Sequence, residues 1–152
     1  MDSASLTNFG LPFDFASAQS HAPKSPGVYV LRIKGAKKFP RLLGETDILY
    51  IGSTNNLNRR FFEYNHPRKS KYTTNQKVND FVNKYKNDAE FIWKTEQNAE
   101  RARATESDLL RWYQDDHHEF PPLNGASVWT LKLTLPPEKI NIKDKLDIRN
   151  PP

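Results

Sequence analysis

Two short stretches decide the fold: Gly27-Val28-Tyr29-Val30-Leu31-Arg32-Ile33 and Ile48-Leu49-Tyr50-Ile51-Gly52-Ser53-Thr54. The first alternates, with Tyr29, Leu31 and Ile33 on one side and Val28 and Val30 on the other, which predicts a strand covered at least in part on both faces. Ile48 to Ile51 predicts a second short strand ending at Gly52. Between them, residues 34–47 contain Gly35, Pro40, Gly44 and four basic residues but no helical periodicity. That connection cannot serve as a parallel crossover, so the two strands are expected to be antiparallel.

Moving outward, Ser53, Thr54, Asn55 and Asn56 offer N-cap oxygens, and Leu57, Arg60, Phe61 and Tyr64 then recur on one side of a helix that His66-Pro67 ends. Thr73-Thr74 cap a second helix through about Lys86, with Val78, Phe81, Val82 and Tyr85 on its inner side. Asn87-Asp88 is a turn, and residues 89–95 read as a third strand. A long helix is predicted from about Asn98 to Asp116, with Ala102, Leu109, Leu110, Trp112 and Tyr113 as its stripe and Pro121-Pro122 beyond its end. Residues 128–135 alternate and suggest an edge strand. The expected fold is α+β: a small, mainly antiparallel central β-sheet flanked by α-helices. The expected organisation is an N-terminal arm over residues 1–25, one domain over 26–135, and a poorly ordered C-terminal tail over 136–152.

Composition excludes several classes. The chain has 152 residues, which fits one domain, and no cysteine, which removes disulfides, thiolate metal sites and cysteine nucleophiles together. No apolar run approaches the roughly 18 residues of a membrane span, and the N-terminus has no secretory pattern. The expectation is a soluble protein without a membrane partner, cytoplasmic or otherwise intracellular. Charge is concentrated: from Lys24 to Lys86 there are fourteen basic and four acidic residues, a balance of +10, while the remainder carries −5. A basic region interleaved with aromatics suits a polyanion, with nucleic acid the leading candidate; the alternative is a solvated basic face.

Some residues sit where packing alone would not place them. Arg60 lies on the apolar stripe of its helix, and Glu106 lies on the stripe of the long helix between Ala102 and Leu109. A lone buried ion costs several kcal/mol unless it is paired or holds a metal. Tyr29 and Tyr50 each adjoin a glycine at a strand end. One Arg60–Glu106 salt bridge with two ordinary tyrosines would account for the charges; a phosphate-handling site accounts for all four residues together. His117-His118 and His66 read as solvated or helix-end residues, and Trp93, Trp112 and Trp129 as core.

The residues now carry a resemblance. Gly27-Val28-Tyr29, then Tyr50-Ile51-Gly52-Ser53-Thr54, then Leu57-x-x-Arg60, with Glu106 in an A-x-A-x-E-x-x-L-L helix and Asn124 in P-P-L-N, resemble the GIY-YIG nuclease superfamily over residues 26–125. Two departures stand out: the first motif is GVY, and the connection from Tyr29 to Tyr50 is longer than the usual hairpin and basic. No helix-hairpin-helix region or zinc module accompanies the motifs, so substrate choice is expected to come from this domain, from a homodimer or from a partner protein.

The resemblance implies a metal-dependent DNA endonuclease that hydrolyses phosphodiester bonds. In that role Glu106 holds one divalent cation, Mg²⁺ or Mn²⁺, and Arg60 faces the phosphate. Tyr29 is the general base, although an ordinary phenol has a pKa of about 10. Tyr50 hydrogen-bonds beside it, orienting the water or sharing the proton, Asn124 orients a loop or Glu106, and Tyr64, one turn beyond Arg60, is auxiliary. Lys37, Lys38, Arg41, Arg59, Arg68, Lys69, Lys71 and Lys77 are expected to track phosphates. The expected biological setting is repair or structure-selective cleavage; the alternatives are a sequence-specific restriction-type enzyme and a basic nucleic-acid-binding module without turnover.

Overall fold

The computed structural model describes residues 6, 8–35, 38–66 and 76–124. In chain order these form α1 (Phe15–His21), β1 (Gly27–Ile33), the two-residue strands β2 (Phe39–Pro40) and β3 (Glu45–Thr46), and β4 (Ile48–Thr54). There follow α2 (Leu57–Asn65), α3 (Gln76–Tyr85), a 3-10 turn at Lys86–Asp88, β5 (Ala89–Thr95) and α4 (Ala99–His117). β1 is the centre of an antiparallel three-stranded sheet of order β4-β1-β5, and β2 and β3 form a small separate hairpin. This is the expected α+β fold with an antiparallel sheet flanked by helices.

The alternation of β1 sorts the core into two layers. Tyr29 and Leu31 face Leu57, Phe61 and Tyr64 of α2, with Phe15 of α1 and Phe91 beside them. Val28 and Val30 face the other way, joining Ile48, Ile51, Ile92 and, from α4, Leu109 and Tyr113. Each fully buried aliphatic or aromatic side chain of α2, such as Leu57, contributes about 1.5–3 kcal/mol over its exposed state. The register sets Tyr29 opposite Gly52 and Leu31 opposite Tyr50; the next pair is Arg32 with Ile48, so Leu49 is the extra residue of a bulge. Tyr29, Tyr50 and Gly52 therefore share the α2 face of the sheet, while Ile51 and Ser53 are on the α4 face.

Local capping fixes where the site-bearing helices begin. Asn56 accepts a hydrogen bond from the Arg59 amide at the start of α2, and Asn98 does the same for Arg101 at the start of α4. Gly27 has a packing reason to lack a side chain: a Cβ there would lie 2.6 Å from both Leu57 Cδ1 and the Lys94 carbonyl oxygen. The free edge of β4 is closed by the chain after α4. Leu123 donates its amide to the Leu49 carbonyl, and the Asn124 side chain accepts from the Ile51 amide at 3.1 Å and donates to the Ile51 carbonyl at 2.9 Å.

Several expectations change. Within the stretch expected as an N-terminal arm, α1 lies against α2 and Phe13 pairs with Phe91. The long connection contains the β2–β3 hairpin, and β4 runs on through Gly52 to Thr54. Tyr85, assigned to the inner side of α3, is 41% exposed, whereas Val78 is buried. The edge strand at 128–135 and the tail lie outside the described residues. Among the described residues no helix is long and apolar enough to cross a membrane.

Candidate active site

The end of the sheet where β4 meets α2 brings together most of the residues singled out by the motifs. Gly52 is the pivot. A Cβ on it would fall 2.6 Å from Tyr50 Cε2, 2.8 Å from Tyr29 Cζ and 2.8 Å from Tyr29 Oη, so two phenol rings converge over the space a side chain would occupy. The rings of Tyr29 and Tyr50 have centroids 6.0 Å apart. Tyr29 is fully buried, and its hydroxyl is 2.6 Å from that of Tyr64. Arg60 reaches across from α2 and donates through Nη1 to Tyr29 Oη at 3.1 Å and to the Ser53 carbonyl at 3.4 Å. On the α4 face, Ser53 Oγ donates to Glu106 Oε1 at 3.0 Å.

Arg60 and Glu106 are therefore linked through one residue, Ser53, rather than by a direct salt bridge. The ion partner of Arg60 is Glu63, one turn along α2, 3.3 Å from Nε and not aligned as a hydrogen bond. Burial alone would lower the Arg60 pKa, but Tyr29, Tyr64 and Glu63 outweigh it and raise it, so the guanidinium stays charged. Glu106 is half-buried, and burial raises its carboxyl pKa, with Ser53, Arg60 and Arg103 pulling it partly back. A carboxylate carrying a desolvation cost, with one oxygen engaged by a hydroxyl, is a hard-oxygen donor suited to a divalent cation. Among the described residues no group of three or more His, Asp or Glu converges into a cage.

Of the motif residues, Ser53, Thr54 and Arg60 line a cavity of about 220 Å³, together with Asn55, Ala99 and Arg103. Tyr29 is not among the residues that line it. Its hydroxyl is sealed between Tyr64 and Arg60, and burial raises its pKa well above the usual phenol value, with Arg60 opposing only in part. Tyr50, by contrast, is partly buried. Asn124 holds both backbone groups of Ile51 in β4. Tyr64 is a direct hydrogen-bond partner of Tyr29.

The basic residues divide. Arg59 is exposed at the start of α2 and donates to Asn55, and Lys38 is exposed ahead of β2. Arg41 is a correction: it lies 2.7 Å from Glu119 and donates to the Phe120 carbonyl at 2.6 Å, holding the β2–β3 hairpin on the end of α4. Lys37, Arg68, Lys69 and Lys71 lie outside the described residues, and of Lys77 only the backbone, in α3, is described. His117 is a second correction. It is buried, and its Nδ1 donates to the Leu43 carbonyl at 2.7 Å. The same hairpin thus explains why a histidine at a helix end leaves solvent. His66 does end α2, with its amide bonded to Phe62 and Glu63 carbonyls. The sequence offers Ser53 as an N-cap oxygen and as part of the Tyr50–Thr54 motif; its place on the β4 face opposite to Tyr50 and Gly52 is the signal that aims it at Glu106 on α4.

The family model for the GIY-YIG catalytic domain matches residues 25–119. Among solved structures, the chain is similar to the GIY-YIG N-terminal endonuclease domain of UvrC from Thermotoga maritima bound to its catalytic divalent cation, magnesium. The identity is 24%, over 66% of this chain and 90% of that chain, with a TM-score of 0.44. It is similar also to a point mutant of that domain bound to its catalytic divalent cation, at 24% identity over 66% of this chain and 89% of that one, with a TM-score of 0.44. No curated protein sequence matches the chain. Residues 25–119 take in both glycine–tyrosine motifs, Arg60 and Glu106, and on that match the chain belongs to the GIY-YIG family.

Proposed function

We propose that the chain is a divalent-metal-dependent DNA endonuclease that hydrolyses phosphodiester bonds in the cleft beside Glu106. The observation that carries this is the continuous chain from Tyr29 through Arg60 and Ser53 to Glu106, opening onto a cavity with a cationic wall. Family membership supports the same reaction class.

Each residue has a task in that reaction. Arg60 holds a fixed positive charge toward the scissile phosphate, and its hydrogen bonds to Tyr29 and Ser53 keep the guanidinium from swinging away. Glu106 supplies the anionic ligand for one Mg²⁺ or Mn²⁺, and Ser53 fixes the rotamer of that carboxylate. The bound cation supplies charge neutralisation for the phosphoryl and leaving oxygens. Tyr50, the less buried of the two phenols, orients the attacking water by accepting a hydrogen bond from it. Tyr29, with Tyr64, positions Arg60 from beneath. Asn124 keeps β4, and with it Tyr50 and Ser53, in register.

The cleft residues Ser53, Thr54, Asn55, Arg60 and Arg103 are groups suited to sugar–phosphate contacts. They support structure-selective cleavage of the kind used in repair over recognition of a fixed sequence. Supercoiled plasmid incubated with Mg²⁺ or Mn²⁺ tests the activity: wild type nicks and Glu106→Gln does not. Binding by both proteins with nicking by neither would leave a non-catalytic DNA-binding module. A panel of linear duplex, flap and junction DNA with mapped ends then tests the selectivity.

A further inference from the structure

We infer that Arg103 is a second phosphate-binding residue, which with Arg60 clamps the DNA backbone in the cavity beside Glu106. The inference rests on the nuclease reading for the identity of the anion but on separate observations for the site.

Ala99, Arg103 and Glu106 stand at i, i+4 and i+7 of α4, so all three lie along one side of the helix where it overhangs the end of β4. Arg103 and Arg60 line the same cavity of about 220 Å³ from opposite elements, α4 and α2. No carboxylate lines that cavity; its other walls are Ser53, Thr54, Asn55 and Ala99. Arg60 has Glu63 as its ion partner, whereas Arg103 takes part in none of the ion pairs or hydrogen bonds found among the described residues. It acts electrostatically on Glu106, opposing the rise that burial gives that carboxyl.

Two guanidinium groups facing one small cavity repel each other, and the arrangement is relieved by an anion between them. A phosphodiester fits this chemistry: guanidinium forks match its oxygens, and Ser53, Thr54 and Asn55 offer hydroxyl and amide groups to the remaining ones. Arg103 is exposed, unlike Arg60, so it meets the substrate strand first and contributes to binding rather than to the chemical step. In the sequence it alternates with alanine in Ala102-Arg103-Ala104, a pattern that reads as an ordinary solvated helix face.

The test uses the full chain, a short fluorescein-labelled duplex in EDTA for binding, and plasmid with Mg²⁺ for turnover. Arg103→Ala is expected to weaken duplex binding about tenfold, to raise KM with kcat nearly unchanged, and to lower the slope of log K against log salt by about 0.9. Arg103→Lys, which keeps the charge, is expected to restore most of that slope. The salt slope is a readout that a merely structural role would not move. If wild type nicks plasmid and Arg103→Ala matches it in slope and KM, the assignment of Arg103 is overturned and the nuclease reading stands. If wild type binds without nicking and Arg103→Ala still lowers the slope, the clamp is supported and the nuclease reading falls. Wild type without salt-sensitive binding overturns both.

Discussion

At one end of α4, Arg60 and Arg103 face an open cavity; at the other, Arg41 meets Glu119 at 2.7 Å and the Phe120 carbonyl at 2.6 Å. Both ends hold an arginine brought from another element, a buried tyrosine and hydrogen bonds to backbone carbonyls. At the His117 end, the Leu42 amide of the hairpin tip donates to Glu119 and the Leu43 carbonyl accepts from His117 Nδ1, while Arg41 Nε, Tyr113 Oη and His117 Nε2 are buried without a hydrogen bond among the described residues. At the Glu106 end the same kinds of group are held in place by the protein but left facing solvent. The difference is a carboxylate: Glu119 is within reach of Arg41, while no acid lines the cavity beside Arg103. Residue type alone therefore does not mark a phosphate site; a cavity walled by two arginines and no carboxylate does.

The contrast should be plain in turnover. Glu106→Gln is expected to lower plasmid nicking by about 10³-fold or more, since charge neutralisation at the phosphate is worth several kcal/mol. Arg41→Ala, at the closed end, should leave nicking per folded molecule within about twofold. A comparable loss in both variants would erase the distinction between the ends. Within the cleft, Gly52→Ala should cost about 10²-fold, because the new Cβ must displace one of the two phenols. Full activity in that variant would show that the convergence over Gly52 is not needed. Tyr50→Phe should cost more than Tyr29→Phe, about 10²-fold against about tenfold; the reverse order would return the water-activating role to Tyr29.

The closed end should register in stability instead. Arg41→Ala is expected to lower unfolding free energy by about 1–3 kcal/mol, read from urea titration, because it leaves the Phe120 carbonyl without this donor and Glu119 with the Leu42 amide but no cation. The smallest effect concerns alkaline pH. Burial pushes the Tyr113 phenol up to about 12, with Arg41 and Thr46 opposing, and Tyr29 is raised further in the same sense by its own burial. The unfolded chain loses these protons near pH 10 while the folded chain keeps them. The stabilisation is thus complete below about pH 10 and is lost as pH rises through about 12. Tyr113→Phe should flatten that decline in urea midpoint; parallel curves for the two proteins would contradict it.

Much of the arrangement was legible because the decisive residues are placed by short-range rules. The period of two in Gly27–Ile33 fixed which residues face which helix, and the period of 3.6 set Arg60 and Glu106 on inward stripes. Asn56 and Asn98 marked two helix starts. What escaped depends on contacts distant in the chain. The β2–β3 hairpin has only two residues in each strand, too few for a period, and it is held by Arg41 and His117 across about seventy residues. Arg41 therefore looked like a phosphate contact and His117 like a solvated residue. The burial of Tyr29 arises from Tyr64 and Arg60 closing over it, which no motif spacing reveals. Arg103 lay hidden because an arginine beside alanines on a helix has no periodic signature of its own.

A crystal of the protein soaked with Mn²⁺ and a short DNA duplex, examined by anomalous scattering, would locate the cation. The account expects one manganese at the Glu106 carboxylate, absent in Glu106→Gln, with a backbone phosphate between Arg60 and Arg103. Manganese bound elsewhere with DNA in place, or a duplex seated on the β2–β3 hairpin and away from the cavity, would contradict it.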